Sequence, residues 1–197
     1  MKTTNFTPDE SFKLIESVIQ QAKNRFEENG YAFILWGATV AICCFTQYYM
    51  ISINMGNYSW YPYLIMPLLT VYTIFYYGKK ERYKKNHLHL VSSRLWLFTG
   101  INIMVTGFAF APYLKNYLSF VILLLLGVAT AVAGSFIKSR ILLICGLTLN
   151  LAAYLTFFVP WKEHPLLMGI ASLVAFLIPG IYLHYNSRKK DVKYYSV

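Results

Sequence analysis

Six stretches of about 20 apolar residues, each long enough to cross a bilayer as a helix, run through this 197-residue chain. They are Tyr31–Ile51, Tyr58–Tyr77, Leu95–Leu114, Tyr117–Ile137, Ile141–Trp161 and Leu166–Tyr185. The one Asp, Glu, Lys, Arg or His inside any of them is His184, in the last turn of the sixth. A helix rising 1.5 Å per residue crosses a hydrocarbon core of about 30 Å in about 20 residues. Barrel strands would instead alternate over about ten residues, so these continuous runs predict helices. Charged residues are 13% of the chain, against about 25% in a soluble domain. The expected fold is therefore an all-α membrane protein: a six-transmembrane-helix bundle over residues 31–185, preceded by a cytosolic amphipathic helix within 1–30 and followed by a basic cytosolic tail, 186–197. A cleaved signal peptide is not expected, because the first apolar run is too long for an h-region.

Lys and Arg fix the expected orientation. The N-terminal segment, the loop 79–94, the turn at Lys138 and Arg140 and the C-terminal tail hold 16 of the 18; the alternate loops hold only Lys115 and Lys162. This positive-inside split puts both termini in the cytoplasm, in a bacterial inner membrane. Tyr and Trp near the ends of the runs match interfacial belts. The connections on the other side are a few residues each, which excludes an ectodomain. The three cytosolic pieces are too short to bury a core, which excludes a soluble catalytic domain.

Catalytic constellations are missing from the sequence. There is no HExxH, G-x-S-x-G, glycine-rich phosphate loop or CxxC, the patterns through which metals, nucleophiles and phosphates are usually held. His87 and His89 lie among Lys84, Lys85 and Arg94, which would repel a metal ion, and read as a solvated loop. Cys43, Cys44 and Cys145 all fall within apolar runs and read as small, buried, reduced residues. No enzymatic activity, metal or cofactor is expected.

Thr7-Pro8-Asp9-Glu10 is a strong helix start, with a T-x-x-E capping box and Pro in the first turn, and Asn29-Gly30 is a plausible stop. Between them, Phe12, Ile15, Ile19 and Phe26 form one apolar stripe. The segment is net acidic, unlike helices that lie on anionic lipid. Its stripe is expected to dock on the cytosolic end of the bundle, near the basic loop; a partner or a second copy of the chain, and lipid, are the alternatives. Lys79, Lys80, Arg82, Lys84, Lys85, Arg188, Lys189 and Lys190 form a basic contact face. It suits anionic lipid headgroups, or an acidic cytosolic protein or ribonucleoprotein.

Within the runs, Thr39, Asn102, Thr130, Thr148 and Asn150 fall at matching depth, about 10–13 Å from the cytosolic ends. They read either as interhelical packing contacts or as a polar layer lining a water-filled cavity. In the second case the apolar runs Ile122–Leu126 and Leu64–Leu69 would form a hydrophobic gate. Gly127, Ala129, Ala131, Ala133 and Gly134, and Gly169, Ala171, Ser172 and Ala175, permit close helix approach. Gly127–Ala133 also aligns with Gly169–Ala175, as related hairpins would, or as the restricted residue alphabet of membrane segments produces by chance. Pro67 and Pro179-Gly180 are expected to kink the second and sixth runs.

The capped amphipathic helix, Glu10 to Phe26, followed by a first span opening on an aromatic–Leu-Trp-Gly stretch, Tyr31 to Gly37, resembles small multi-pass proteins of bacteria. Size and hydropathy are similar to the multi-pass accessory proteins encoded beside type VI-B CRISPR effectors. The resemblance implies a protein that modulates antiviral interference or acts on the membrane; it carries no site residues with it. The expected function is a non-enzymatic inner-membrane accessory or effector protein, oligomeric and membrane-perturbing, in contact with the lipid bilayer and with a cytosolic protein or ribonucleoprotein. The alternative is a transporter or channel for a small neutral solute, because the runs lack the buried charges that ion coupling needs.

Overall fold

The computed structural model describes residues 30–80, 87–136 and 138–185, and among these there are helices and turns but no strand. The main helices are α1 (Gly30–Ser52), α2 (Ile65–Lys80), α3 (His87–Phe108), α4 (Leu118–Phe136), α5 (Arg140–Leu155) and α6 (His164–Ser172). A five-residue π-helical turn, Leu173–Leu177, carries α6 on into a last helical stretch, 178–185. Four segments are long and apolar enough to cross a membrane: Gly30–Ser52, Ala111–Phe136, Arg140–Phe158 and Trp161–Tyr185. The chain is thus a helical membrane protein. The N-terminal stripe Phe12, Ile15, Ile19 and Phe26 lies outside the described residues. So do Arg82, Lys84, Lys85, Arg188, Lys189, Lys190 and the side chains of Lys79 and Lys80.

The second and third apolar runs differ most from expectation. Gly56–Tyr58 and Tyr61–Leu64 form two short 3-10 turns where the second span was expected to start. Pro62 supplies no N–H and starts the second of these turns. Continuous α-helix begins only at Ile65 and lasts 16 residues. Pro67 therefore sits in the first turn of α2, where the missing N–H has no partner to lose, and it does not kink the helix interior. The third run ends as α3 at Phe108, and Ala111–Leu114 forms a separate helical turn.

Two antiparallel pairs form the centre, and glycine makes both possible. In the first, α1 lies along the α6 rod. A Cβ added at Gly30 would sit 2.7 Å from the Gly180 carbonyl oxygen, and one at Gly37 would sit 2.8 Å from the Leu177 nitrogen. Phe33 stacks on Phe176 with ring centroids 5.9 Å apart, and the Ser172 hydroxyl donates to the Gly37 carbonyl at 3.1 Å. In the second pair, α4 and α5 form a hairpin. Gly134 faces Leu142 and Leu143, Gly146 faces the backbone of Ala131, and Gly127 faces Asn150. Without a hydrophobic drive between helices in lipid, such backbone proximity gains stability through van der Waals packing. The shared core follows the same logic: Ala133, Ala152, Ala153, Ala171 and Ala175 are filled in by Leu123, Leu142, Leu149 and Phe176.

The turn between α4 and α5 closes as a Schellman motif. Ser139 N–H donates to Gly134 O at 2.9 Å, Lys138 N–H to Ser135 O at 3.3 Å, and Lys138 takes φ 52°. The end of α1 repeats it with Asn54 at φ 61°, Met55 N–H bonding Met50 O and Asn54 N–H bonding Ile51 O. Both motifs satisfy carbonyls that a helix end leaves open.

Pro179 does not break the sixth segment. A proline ring clashes with the carbonyl four residues earlier and removes one hydrogen bond. The wider π turn ending two residues before it accommodates both effects, and the rod runs on to residue 185. Helix α3 packs on α4, and its Trp96 stands edge-on to Phe33 of α1 at 6.1 Å. Helix α2 is tied to α1 by the Trp36 indole N–H donating to Thr73 Oγ1 at 3.2 Å and by Tyr31 against Tyr76. Leu68, Val71 and Phe75 on α2, and Phe98, Ile101 and Val105 on α3, are exposed.

Candidate functional site

The five polar residues at matching depth do not share one lining. Thr39 donates to Leu35 O at 2.8 Å, Thr130 to Leu126 O at 2.7 Å, and Thr148 to Ile144 O at 2.9 Å, each within its own helix. Thr130 is fully buried. Asn102 instead lies on the exposed side of α3, its amide N–H donating to Phe98 O at 2.8 Å. Asn150 differs again. Its Oδ1 is buried without a hydrogen-bond partner, pressed against Gly127. An unpaired buried carbonyl costs about 1–3 kcal/mol. Asn150→Leu, of similar shape, is therefore expected to raise stability by on the order of 1 kcal/mol, read as a higher unfolding temperature in detergent. A lower unfolding temperature would count against this account of the amide.

A second polar cluster joins α1 to the turn after it. Tyr63 donates its hydroxyl proton to Gln47 Oε1 at 2.7 Å and accepts from the Cys44 thiol at 3.3 Å. The Cys43 thiol donates to Pro62 O at 3.2 Å. All three cysteines are buried and unbridged. These bonds fasten the Tyr61–Leu64 turn to the helix, so both α1 thiols have a structural use.

The concave site lies where the α3–α4 and α5–α6 connections meet. A pocket of about 220 Å³ opens there. Tyr117 and Phe157 form an aromatic wall, with ring centroids 6.1 Å apart, and Trp161 adds a third ring. The polar lining comes from Asn116, Thr156, Val159 and His164. His164 is buried, at 6% exposure. Its Nε2 lies 3.0 Å from both the Thr156 and Val159 carbonyls. Two acceptors require Nε2 to carry a proton, which in the neutral imidazole leaves Nδ1 as an acceptor. Those carbonyls belong to the 3-10 turn Thr156–Phe158 that follows α5 and to the residue after it, and the imidazole caps them. Nδ1 makes no hydrogen bond among the described residues, and His164 lines the pocket.

The charged residues beside this pocket are Lys115, Lys162 and Glu163, all exposed. Lys162 Nζ sits 6.0 Å over the Trp161 ring. Lys115 has φ 47° and ψ −114°, a strained backbone for any residue but glycine, costing about 1–3 kcal/mol. Hydropathy alone placed His164 in a connecting loop. The sequence signal for this site is that the two Lys of the sparsely charged loops, Lys115 and Lys162, each adjoin an aromatic-rich loop. No family model, curated protein or solved structure matches the chain.

Proposed function

We propose that this chain is a non-enzymatic inner-membrane accessory or effector protein that works by assembling with further copies of itself in the membrane plane. In this reading it has six spans, with α2 and α3 as the second and third, and both termini in the cytoplasm. Asn102 carries the proposal. It sits in α3 among exposed Phe98, Ile101 and Val105, and its Oδ1 and second amide proton have no partner among the described residues. Polar amides facing hydrocarbon gain by pairing across helices, by about 0.6 and up to roughly 2 kcal/mol each. Two copies meeting at α3 would pair these amides and cover the apolar side chains around them. The glycine-packed pairs supply a rigid body on which α2 and α3 are mounted.

Cysteine cross-linking in native membranes tests this. Phe98→Cys should give a disulfide-linked dimer, since the native cysteines are buried. Leu151→Cys, on the exposed side of α5, should not. Adding Asn102→Leu should weaken association roughly threefold to tenfold. Equal cross-linking from both positions, or indifference to Asn102→Leu, would reject the assembly.

The orientation has its own test. Reporter fusions after Gly56, Lys80, Lys115, Ser139, Lys162 and Lys190 should alternate, with those after Lys80, Ser139 and Lys190 cytoplasmic. A periplasmic signal after Lys190 would overturn the six-span reading.

A further inference from the structure

We propose that the His164 pocket binds a zwitterionic headgroup that carries a primary ammonium and a phosphate, as in phosphatidylethanolamine or free phosphoethanolamine. The pocket interior is rich in electrons. With Nε2–H held by the Thr156 and Val159 carbonyls, the Nδ1 of a neutral imidazole is left as an acceptor. Tyr117, Phe157 and Trp161 line it, and aromatic faces attract cations. A group entering this space should be cationic and should donate hydrogen bonds. A primary ammonium does both, whereas a quaternary ammonium has no N–H for Nδ1.

The rim has the opposite character. Lys115 and Lys162 are the residues next to Asn116 and Trp161 of the lining. Both are exposed, as is Glu163, so this end of the bundle carries two ammonium groups against one carboxylate, with Lys162 Nζ 6.0 Å over the Trp161 ring. A phosphate held at this rim with its ammonium directed inward meets complementary charge at both ends. The strained backbone at Lys115 fits a residue held in place for binding, since strain of this kind persists where the surrounding structure fixes it. Size agrees as well. About 220 Å³ is below the roughly 300–1,000 Å³ of pockets for drug-sized ligands and suits a headgroup, leaving acyl chains outside along the helices. The interfacial Trp and Tyr around the pocket set it at headgroup depth.

The test uses the full chain in nanodiscs made from equal parts of phosphatidylethanolamine, phosphatidylcholine and phosphatidylglycerol, with co-purified lipid measured after extraction. Phosphatidylethanolamine should be enriched roughly tenfold over the other two, the scale of one charge-assisted hydrogen bond. Tyr117→Leu and Lys115→Gln, which leave the His164 bonds intact, should each return the lipid ratio toward that of the bilayer. Millimolar phosphoethanolamine that displaces the lipid, or that binds protein in phosphatidylglycerol alone, would assign the same site to a soluble ligand. Enrichment of phosphatidylglycerol, equal retention of phosphatidylcholine, or enrichment unchanged in both variants would overturn the proposal. So would the absence of both lipid enrichment and phosphoethanolamine binding.

Discussion

Gly146→Leu is expected to pull the α4–α5 hairpin apart. A Cβ at this position would meet the Ala131 backbone nitrogen, and it would lie 2.7 Å from both the Cα and the Cβ of Ala131. None of these atoms belongs to a flexible side-chain end, so the helices themselves must separate. Overpacking of this kind costs about 1–3 kcal/mol even where the neighbours can adjust, and here the core residues Leu142, Cys145 and Leu149 would lose contacts as well. Thermal unfolding in detergent should show loss of most of the folded population. Gly100 and Gly107 of α3 are the internal control, because an added Cβ meets nothing within 4 Å at either. Gly→Ala there should be neutral or stabilising by up to about 1 kcal/mol from helix propensity. Equal damage from Gly146→Leu and Gly100→Ala would show that the observed approach of α4 and α5 is not what stabilises the protein.

His164→Leu should be the next most damaging substitution at a single site. It keeps an apolar body of similar size but removes the one donor shared by Thr156 O and Val159 O. Each buried carbonyl left without a partner costs about 1–3 kcal/mol. The α5–α6 connection should loosen first, so amide exchange should rise in residues 156–164 before it rises in the glycine-packed pairs. His164→Gln, whose amide can donate to one carbonyl, should recover part of the loss. Unchanged exchange in His164→Leu would mean that water already satisfies these carbonyls.

Much of the helical layout was legible from hydropathy, because an uncharged run of this length has few other stable forms. The exception is instructive. Tyr58–Leu64 is apolar and aromatic like a span, but Pro62 and the short 3-10 turns turn it into a connection. Close helix approach at Gly127 and Gly134 was also legible, since small residues at that spacing have little other use in lipid. The depth of Thr39, Asn102, Thr130, Thr148 and Asn150 could be counted along the chain. Their direction could not, since it depends on which side of each helix is covered: Thr130 points inward and Asn102 outward. Pro179 was expected to kink its helix, and the π turn beside it has no signature in a single sequence. His164 escaped notice because its role arises from carbonyls five and eight residues away.

The pairing of α1 with the α6 rod has a consequence for how the protein is made. Its Ser172–Gly37 hydrogen bond joins residues 135 positions apart. At about 5–20 residues per second, synthesis of that interval takes roughly 7–27 s. During this time the first helix has entered the bilayer with Gly30 and Gly37 facing no partner, whereas α4 and α5 can close on each other as soon as both are made. A nascent chain halted before residue 164 would hold α1 only through α2, the Tyr61–Leu64 turn and α3, with its glycine face uncovered. The glycine face of the first helix is thus covered only once residues 176–184 have been made.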